Sequence, residues 1–235
     1  GWARVGVDRS EFVLLQLGRM VAGKGVDNVI RAVGLLRRVH DIRARLFIVG
    51  GNGAEPDPVV TPELGRLMAI AREEGIAESV TFTGRRPRAV LRSFYSAADV
   101  FVTTPWYEPF GITPLEAMAC ARPVIGADVG GLKSTIVHGK TGYLVEPRNP
   151  QALCERLAAL KRNPALARRM GLAGRRRANE RYTWQSIVDR LEVYRGDRLI
   201  RAESDTNHDG FPDMWETYDR GAVTELLVDH DKRAG

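Results

Sequence analysis

The sequence predicts an α/β protein built on a doubly wound parallel sheet of six strands, Rossmann-like, with helices closing its C-terminal side. Three observations lead there. Short apolar runs alternate with amphipathic stretches along most of the chain. The runs are nearly continuous in Val, Ile, Leu and Phe, as expected of strands covered on both faces. Strand–helix alternation with short loops implies right-handed βαβ units, hence a parallel sheet.

The strands are expected at Glu11–Leu17, Ala44–Val49, Ser79–Thr83, Asp99–Thr104, Pro123–Ala127 and Gly142–Val145. Between them, Val26, Val29, Ile30, Val33 and Leu36 recur at helical spacing. Thr61-Pro62 opens a second helix, with Leu64, Leu67, Met68 and Ala71 on one face. Pro87 opens a third, through Val90, Leu91, Phe94 and Tyr95. Thr113-Pro114-Leu115-Glu116 has the form of a capping box with Pro at the first helical position, so a fourth helix is expected to start at Thr113. After Pro147 the pattern is helical throughout: Pro150–Arg162, Pro164–Glu180 and Thr183–Arg195.

The 235 residues carry a net charge of +6, unevenly spread. Residues 196–235 hold ten acids against five bases, a net of −5, which leaves +11 on residues 1–195. That shift marks a boundary near Gly196, dividing the chain into 1–195 and an acidic tail, 196–235. The basic residues of the larger part are dispersed and not interleaved with aromatics, which argues for phosphate-bearing small molecules and against nucleic acid. Cys120 and Cys154 fit no metal or redox spacing and read as reduced core thiols. No run approaches the roughly 20 apolar residues needed to span a bilayer, and no charged-then-apolar leader opens the chain. The opening residues run almost at once into Phe12-Val13-Leu14-Leu15, as expected of a chain that begins at a domain boundary.

In doubly wound sheets, ligands sit outside the carboxyl ends of the strands. The first such loop is Gly18-Arg19-Met20-Val21-Ala22-Gly23-Lys24-Gly25. Its glycines let backbone approach a ligand, and Arg19 and Lys24 suit a diphosphate, although a solvated basic turn fits equally well. Val49-Gly50-Gly51-Asn52-Gly53 and Phe82-Thr83-Gly84-Arg85-Arg86 also follow strands and admit either a turn or a ligand wall. The richest segment is Glu108-Pro109-Phe110-Gly111-Ile112-Thr113-Pro114-Leu115-Glu116. A helix N-terminus there offers free N–H groups and the positive end of a dipole. Glu108 and Glu116 flank it and can each accept hydrogen bonds from hydroxyls, or Glu116 can simply return to its own cap.

Glu108 and Glu116, seven residues apart in an EPFG context, resemble the EX7E signature of the retaining glycosyltransferases with the GT-B fold. That family includes sucrose-phosphate synthases, glycogen and starch synthases and lipid mannosyltransferases. Gly18–Gly25 resembles its phosphate loop, and Arg122-Pro123-Val124-Ile125, Gly130-Gly131 and Gly139–Val145 resemble its usual continuation. The resemblance covers roughly residues 11–195 and implies one half of a GT-B fold. It implies that Arg19, Lys24 and Glu108 are catalytic. Arg19 and Lys24 would hold the donor diphosphate and stabilise the leaving group; Glu108 would bind the sugar hydroxyls. Gly18, Gly84, Arg85, Phe110, Gly111, Ile112, Thr113 and Glu116 would line the nucleotide-sugar site, with Glu116 on the ribose and Arg85 by the base. Transfer of a hexosyl group would need no cofactor; the nucleotide-diphospho-sugar is a substrate.

Two departures stand out. Ala121 occupies a position where the family often has glycine. The family's acceptor-binding N-terminal domain, with its histidine, has no counterpart here, and His40, His138, His208 and His230 do not match it. The final helix, near Tyr182-Thr183-Trp184, would cross back to that domain. The chain is thus expected to bind donor but to be an incomplete transferase until a second domain or partner chain supplies the acceptor site. Any peripheral membrane contact would fall to that missing half. The implied compartment for the transferase part is cytoplasmic.

The tail carries Asp205-Thr206-Asn207-His208-Asp209-Gly210-Phe211-Pro212-Asp213-Met214-Trp215-Glu216. Asp205, Asn207, Asp209, Asp213 and Glu216 fall at calcium-loop positions 1, 3, 5, 9 and 12, with Phe211 at the main-chain position 7 and Gly210 at 6. The segment resembles single-loop, EF-hand or dockerin-like calcium motifs of secreted bacterial proteins, which is at odds with a cytoplasmic donor. An acidic, turn-rich tail without metal fits the same residues. Two other functional classes therefore stand beside the transferase: a non-catalytic nucleotide-sugar-binding module, and a calcium-binding interaction protein with a degenerate transferase domain.

Overall fold

A computed structural model of the chain describes residues 11–182, 190–195, 198–204, 214–220 and 222–228. The chain divides into two compact units, Gly1–Arg176 and Arg177–Gly235.

The first unit contains the expected sheet. Its strands are β1 (Phe12–Leu17), β2 (Ala44–Val49), β3 (Val80–Phe82), β4 (Val100–Thr103), β5 (Val124–Ala127) and β6 (Gly142–Val145). All pairings are parallel, in the order β3-β2-β1-β4-β5-β6. Leu14 of β1 stands opposite both Leu46 of β2 and Val100 of β4. Every residue of β4 and β5 is buried, so the continuous apolar runs reflect cover on both faces. β3 is only half-buried, as suits an edge strand.

The helices are α1 (Val26–His40), α2 (Pro62–Glu73), α3 (Arg88–Ala97), α4 (Ile112–Ala119), the short α5 (Leu132–Thr135), α6 (Pro150–Arg162) and α7 (Pro164–Arg181). α1 buries Val29, Ile30, Val33 and Leu36 beneath it and packs against α2 and α6. Each such side chain contributes about 1.5–3 kcal/mol on leaving water. Asn149 caps α6, its side chain accepting from the Ala152 N–H at 2.8 Å. α7 presses closely on the end of α4: a Cβ on Gly171 would lie 2.1 Å from the Ala121 carbonyl oxygen.

Both cysteines are free thiols; Cys154 is buried and Cys120 half-buried. Among the described residues no helix is long and apolar enough to cross a membrane.

Two expectations are corrected. α4 begins at Ile112, not Thr113, and its N-cap is Gly111 with φ 92°. No side-chain cap forms there, and Glu116 turns to Tyr95 instead of the helix start. Gly111 takes the cap because it alone tolerates that backbone conformation, and a Cβ there would meet Leu132 at 2.8 Å.

The second correction concerns the helix expected at Thr183–Arg195. Residues 190–195 form a strand, β7 (Arg190–Arg195), paired antiparallel with β8 (Arg198–Ser204); residues 183–189 lie outside the described residues. The segment Leu191-Glu192-Val193-Tyr194 alternates and is followed by Gly196-Asp197, a two-residue hairpin signal that outweighs the helical spacing. β9 (Met214–Asp219) and β10 (Ala222–Val228) complete a four-stranded antiparallel sheet in the order β10-β9-β8-β7.

Candidate functional site

The strand order reverses between β1 and β4, because β1 is followed in sequence by β2 on one side and neighboured by β4 on the other. The carboxyl ends of β1 and β4 therefore flank the topological switch point, the place where such sheets take ligands. That is where the two richest sequence segments meet.

After β1 the chain makes a single 3-10 turn, Ala22–Lys24, ended by Gly25 at φ 62°. A Cβ on Gly25 would lie 1.9 Å from the Thr104 carbonyl oxygen, so glycine is required both by conformation and by space. The hydroxyl of Thr104 donates to the Gly25 carbonyl at 2.8 Å, and the Trp106 N–H donates to the Gly23 carbonyl at 2.9 Å. These bonds bind the first loop onto the loop after β4. They bring Lys24 Nζ to 2.6 Å from Glu108 Oε2, across 84 residues of sequence. Both side chains are mostly buried. Arg19, in the same loop, is exposed and makes no ion pair among the described residues.

The loop of Glu108 is held from its other side. The Gly131 N–H donates to the Glu108 carbonyl at 2.8 Å, and a Cβ on Gly130 would lie 2.2 Å from that same oxygen. Phe110 and Ile112 are exposed, while the Phe110 carbonyl accepts from the Thr135 hydroxyl at 3.1 Å. Gly111 and Thr113 stand at the first turn of α4, whose leading N–H groups have no side-chain cap.

Glu116 lies one turn further on. Its Oε2 accepts from the Tyr95 hydroxyl at 2.7 Å, and Arg88 stands 3.7 Å from Oε1. Burial, then the Glu116 hydrogen bond, push the Tyr95 hydroxyl far above its ordinary range, so it is a fixed neutral donor. Tyr95 was legible only as part of the apolar face of α3; its hydroxyl was the missed signal.

Gly18 donates its N–H to Val49 and has open space where a Cβ would stand. Gly84, at φ 73°, accepts from the Gly50 N–H, and a Cβ on it would lie 2.2 Å from the Ala54 carbonyl. The neighbouring Arg85 is exposed and donates its N–H to the Gly53 carbonyl. Gly84 thus joins the loops after β2 and β3, and Arg85 projects beside them. Sequence reasoning also missed the stacking of Arg148 on Trp106 in the loop after β4, where the guanidinium lies 4.0 Å above the indole.

Of the histidines, His40 meets Glu155 at 3.2 Å and Arg162 at 3.1 Å on the far side of α1. His138 accepts from the Leu144 N–H. Among the described residues the one cluster of metal-ligand types is His40, Cys154 and Glu155. Burial pushes the Cys154 thiol up to about 11, and Arg162 occupies the imidazole, so the cluster does not favour a cation. Asp205, Asn207, Asp209, Phe211 and Asp213 lie outside the described residues. Glu216 lies on β9, opposite Ala202, with its carboxylate accepting from the Tyr218 hydroxyl at 3.0 Å.

The α/β unit resembles known proteins in sequence and in fold. Residues 3–177 match the family model described as glycosyl transferases group 1. The chain is 34% identical over 195 residues to D-inositol 3-phosphate glycosyltransferase of Thermomonospora curvata, covering 82% of this chain and 44% of that protein. It is similar to the structure of sucrose-phosphate synthase from Thermosynechococcus elongatus (TM-score 0.71, 34% identity, 79% of this chain and 45% of that one). The fold is also that of Anabaena Alr3699/HepE, solved in complex with UDP and glucose (TM-score 0.68, 23% identity, 77% and 46%). The chain spans about half the length of the curated relatives it matches. With a parallel sheet in the 3-2-1-4-5-6 order and a family match over its α/β unit, the chain belongs to the glycosyl transferases group 1 family.

Proposed function

We propose that the α/β unit binds the nucleoside diphosphate and sugar of a nucleotide-diphospho-sugar, and that it serves hexosyl transfer with retention of configuration. The observation that carries this reading is the meeting of Lys24 and Glu108 at the switch point, beside the uncapped start of α4. Lys24 and Arg19 supply cations to the diphosphate, and the N–H groups of the first turn of α4 add the positive end of its dipole. These groups stabilise the charge that develops on the leaving diphosphate. Glu108 accepts from the sugar hydroxyls, Glu116 from the ribose, and the Gly84–Arg85 turn borders the base. That HepE, which shares the fold, was solved with UDP and glucose supports a nucleotide-sugar as the ligand class.

In the same reading, a second domain or a partner chain supplies the acceptor site, since the chain matches under half of sucrose-phosphate synthase. Without it, the 235 residues bind donor and transfer poorly. Calcium binding by residues 205–216 is a separate proposal, supported by the spacing of its oxygen ligands.

The test is calorimetric titration of the folded chain with UDP, GDP and ADP, then with the matching sugar nucleotides. One diphosphate is expected to bind, and Arg19→Ala to weaken it about tenfold or more, the worth of a charged hydrogen bond. A folded chain that binds none of the three refutes the reading.

A further inference from the structure

Lys24 and Glu108 form an ion pair at 2.6 Å, with side-chain exposures of 21% and 19%. On the proposed reading, each has a different job: Lys24 meets phosphate and Glu108 meets sugar hydroxyls. A single contact joins them, Lys24 Nζ to Glu108 Oε2, and a phosphate that draws Lys24 to itself competes with Glu108 for that contact. The loops that carry them are tied together by the Trp106–Gly23 and Thr104–Gly25 hydrogen bonds. Those ties hold the backbone, so the pair would open by rotation of the two side chains.

The energetics of that exchange differ between two ligands. A diphospho-sugar gives Lys24 a phosphate oxygen and gives Glu108 hydroxyl donors, so neither charge is left unpaired. A bare nucleoside diphosphate takes Lys24 and gives Glu108 nothing. It leaves a mostly buried carboxylate without its cation and facing an anion, which is the costly way to break such a pair. The bare diphosphate also carries a larger negative charge than its sugar ester, which sharpens the repulsion.

We propose that the Lys24–Glu108 pair is an electrostatic latch that selects the sugar-bearing donor over the bare nucleoside diphosphate. After transfer, Glu108 reclaims Lys24 and weakens the hold on the diphosphate product. This rests on the donor-site reading above, and it predicts a sign that the reading alone does not. Removing the Glu108 charge tightens binding of the product while loosening binding of the donor.

The experiment is calorimetric titration of the parent chain, Glu108→Gln, Glu108→Asp and Lys24→Met with UDP and with UDP-glucose, repeated with the GDP and ADP pairs. Melting curves establish that each variant is folded. Glu108→Gln is expected to bind the bare diphosphate about 3- to 10-fold more tightly, the scale of a partly screened ion pair. Its preference for the sugar form should shrink or invert. Glu108→Asp keeps the charge and should show no gain. The gain should vanish when Glu108→Gln is combined with Lys24→Met. A merely structural Glu108 would lower both affinities together. If the parent binds a diphosphate and Glu108→Gln binds it no more tightly, the latch is overturned and the donor site stands. If the folded parent binds no diphosphate, the donor site falls and the latch with it.

Discussion

Ala121 is the residue at which a glycine is most plainly wanted. It follows α4, with φ 56°. Its N–H donates to the Met118 carbonyl at 2.8 Å, and the Arg122 N–H donates to the Ala117 carbonyl at 3.0 Å. That crossed pair is a Schellman motif, with Ala121 in the left-handed position that glycine usually fills. Gly171 of α7 also packs directly on the Ala121 carbonyl. A Cβ in this region costs about 1–2 kcal/mol. Replacing it by glycine returns about 0.4–1 kcal/mol of that through the freer unfolded chain. Ala121→Gly should therefore stabilise the α/β unit by about 1 kcal/mol, or roughly 2–4 °C in melting temperature for a unit of this size. Gly139→Ala is the mirrored control. Gly139 has φ 75° with open space around a Cβ, so only the backbone penalty applies and the melting temperature should fall by a similar amount. Differential scanning calorimetry reads both. A melting temperature that is unchanged or lower in Ala121→Gly, beside the expected fall in Gly139→Ala, refutes the strain argument.

Two further outcomes follow from the same physics. Tyr95→Phe removes the hydroxyl that orients Glu116 and should cost about 0.5–1.5 kcal/mol in a urea titration. On the proposed donor-site reading, in which Glu116 binds the ribose, it should also weaken UDP severalfold while leaving pyrophosphate binding unchanged; equal losses for both ligands would remove Tyr95 from that role. Burial holds the Cys154 thiol up to about 11, so the folded state keeps a proton that the unfolded state has already lost. Stability should accordingly decline as pH rises from the ordinary thiol value through about 11, and Cys154→Ala should flatten that part of the pH–stability curve. A slope identical in the two proteins would mean that Cys154 is not its source.

Most of the sheet was legible because strands buried on both faces leave continuous apolar runs. Val100–Thr103 and Val124–Ala127 are examples, the first expected one residue longer at each end and the second one residue longer at its start. The glycines of the first loop were legible as a group, but their separate duties were not. Gly25 is held by Thr104, whereas Gly18 has open space around it. Local signals misled where distant groups outbid them. The Thr113–Glu116 box is a sound helix start in isolation. Tyr95, 21 residues away, takes the carboxylate, and Gly111 supplies the turn. Likewise the helical spacing of residues 190–195 yields to pairing with β8, a partner that periodicity within one segment cannot reveal.

By itself the sequence determined the kind and order of the elements from β1 to α7, and the family, since hydrophobic period, turn residues and motif spacing are properties of short stretches of chain. Only the tertiary structure decided that β1 lies beside β4, that Lys24 is paired with Glu108 and that Glu116 answers to Tyr95. Those contacts span 84 and 21 residues. They arise because burying the sheet on both faces selects one strand order among several that the local patterns allow, and side chains then find partners that no local spacing specifies.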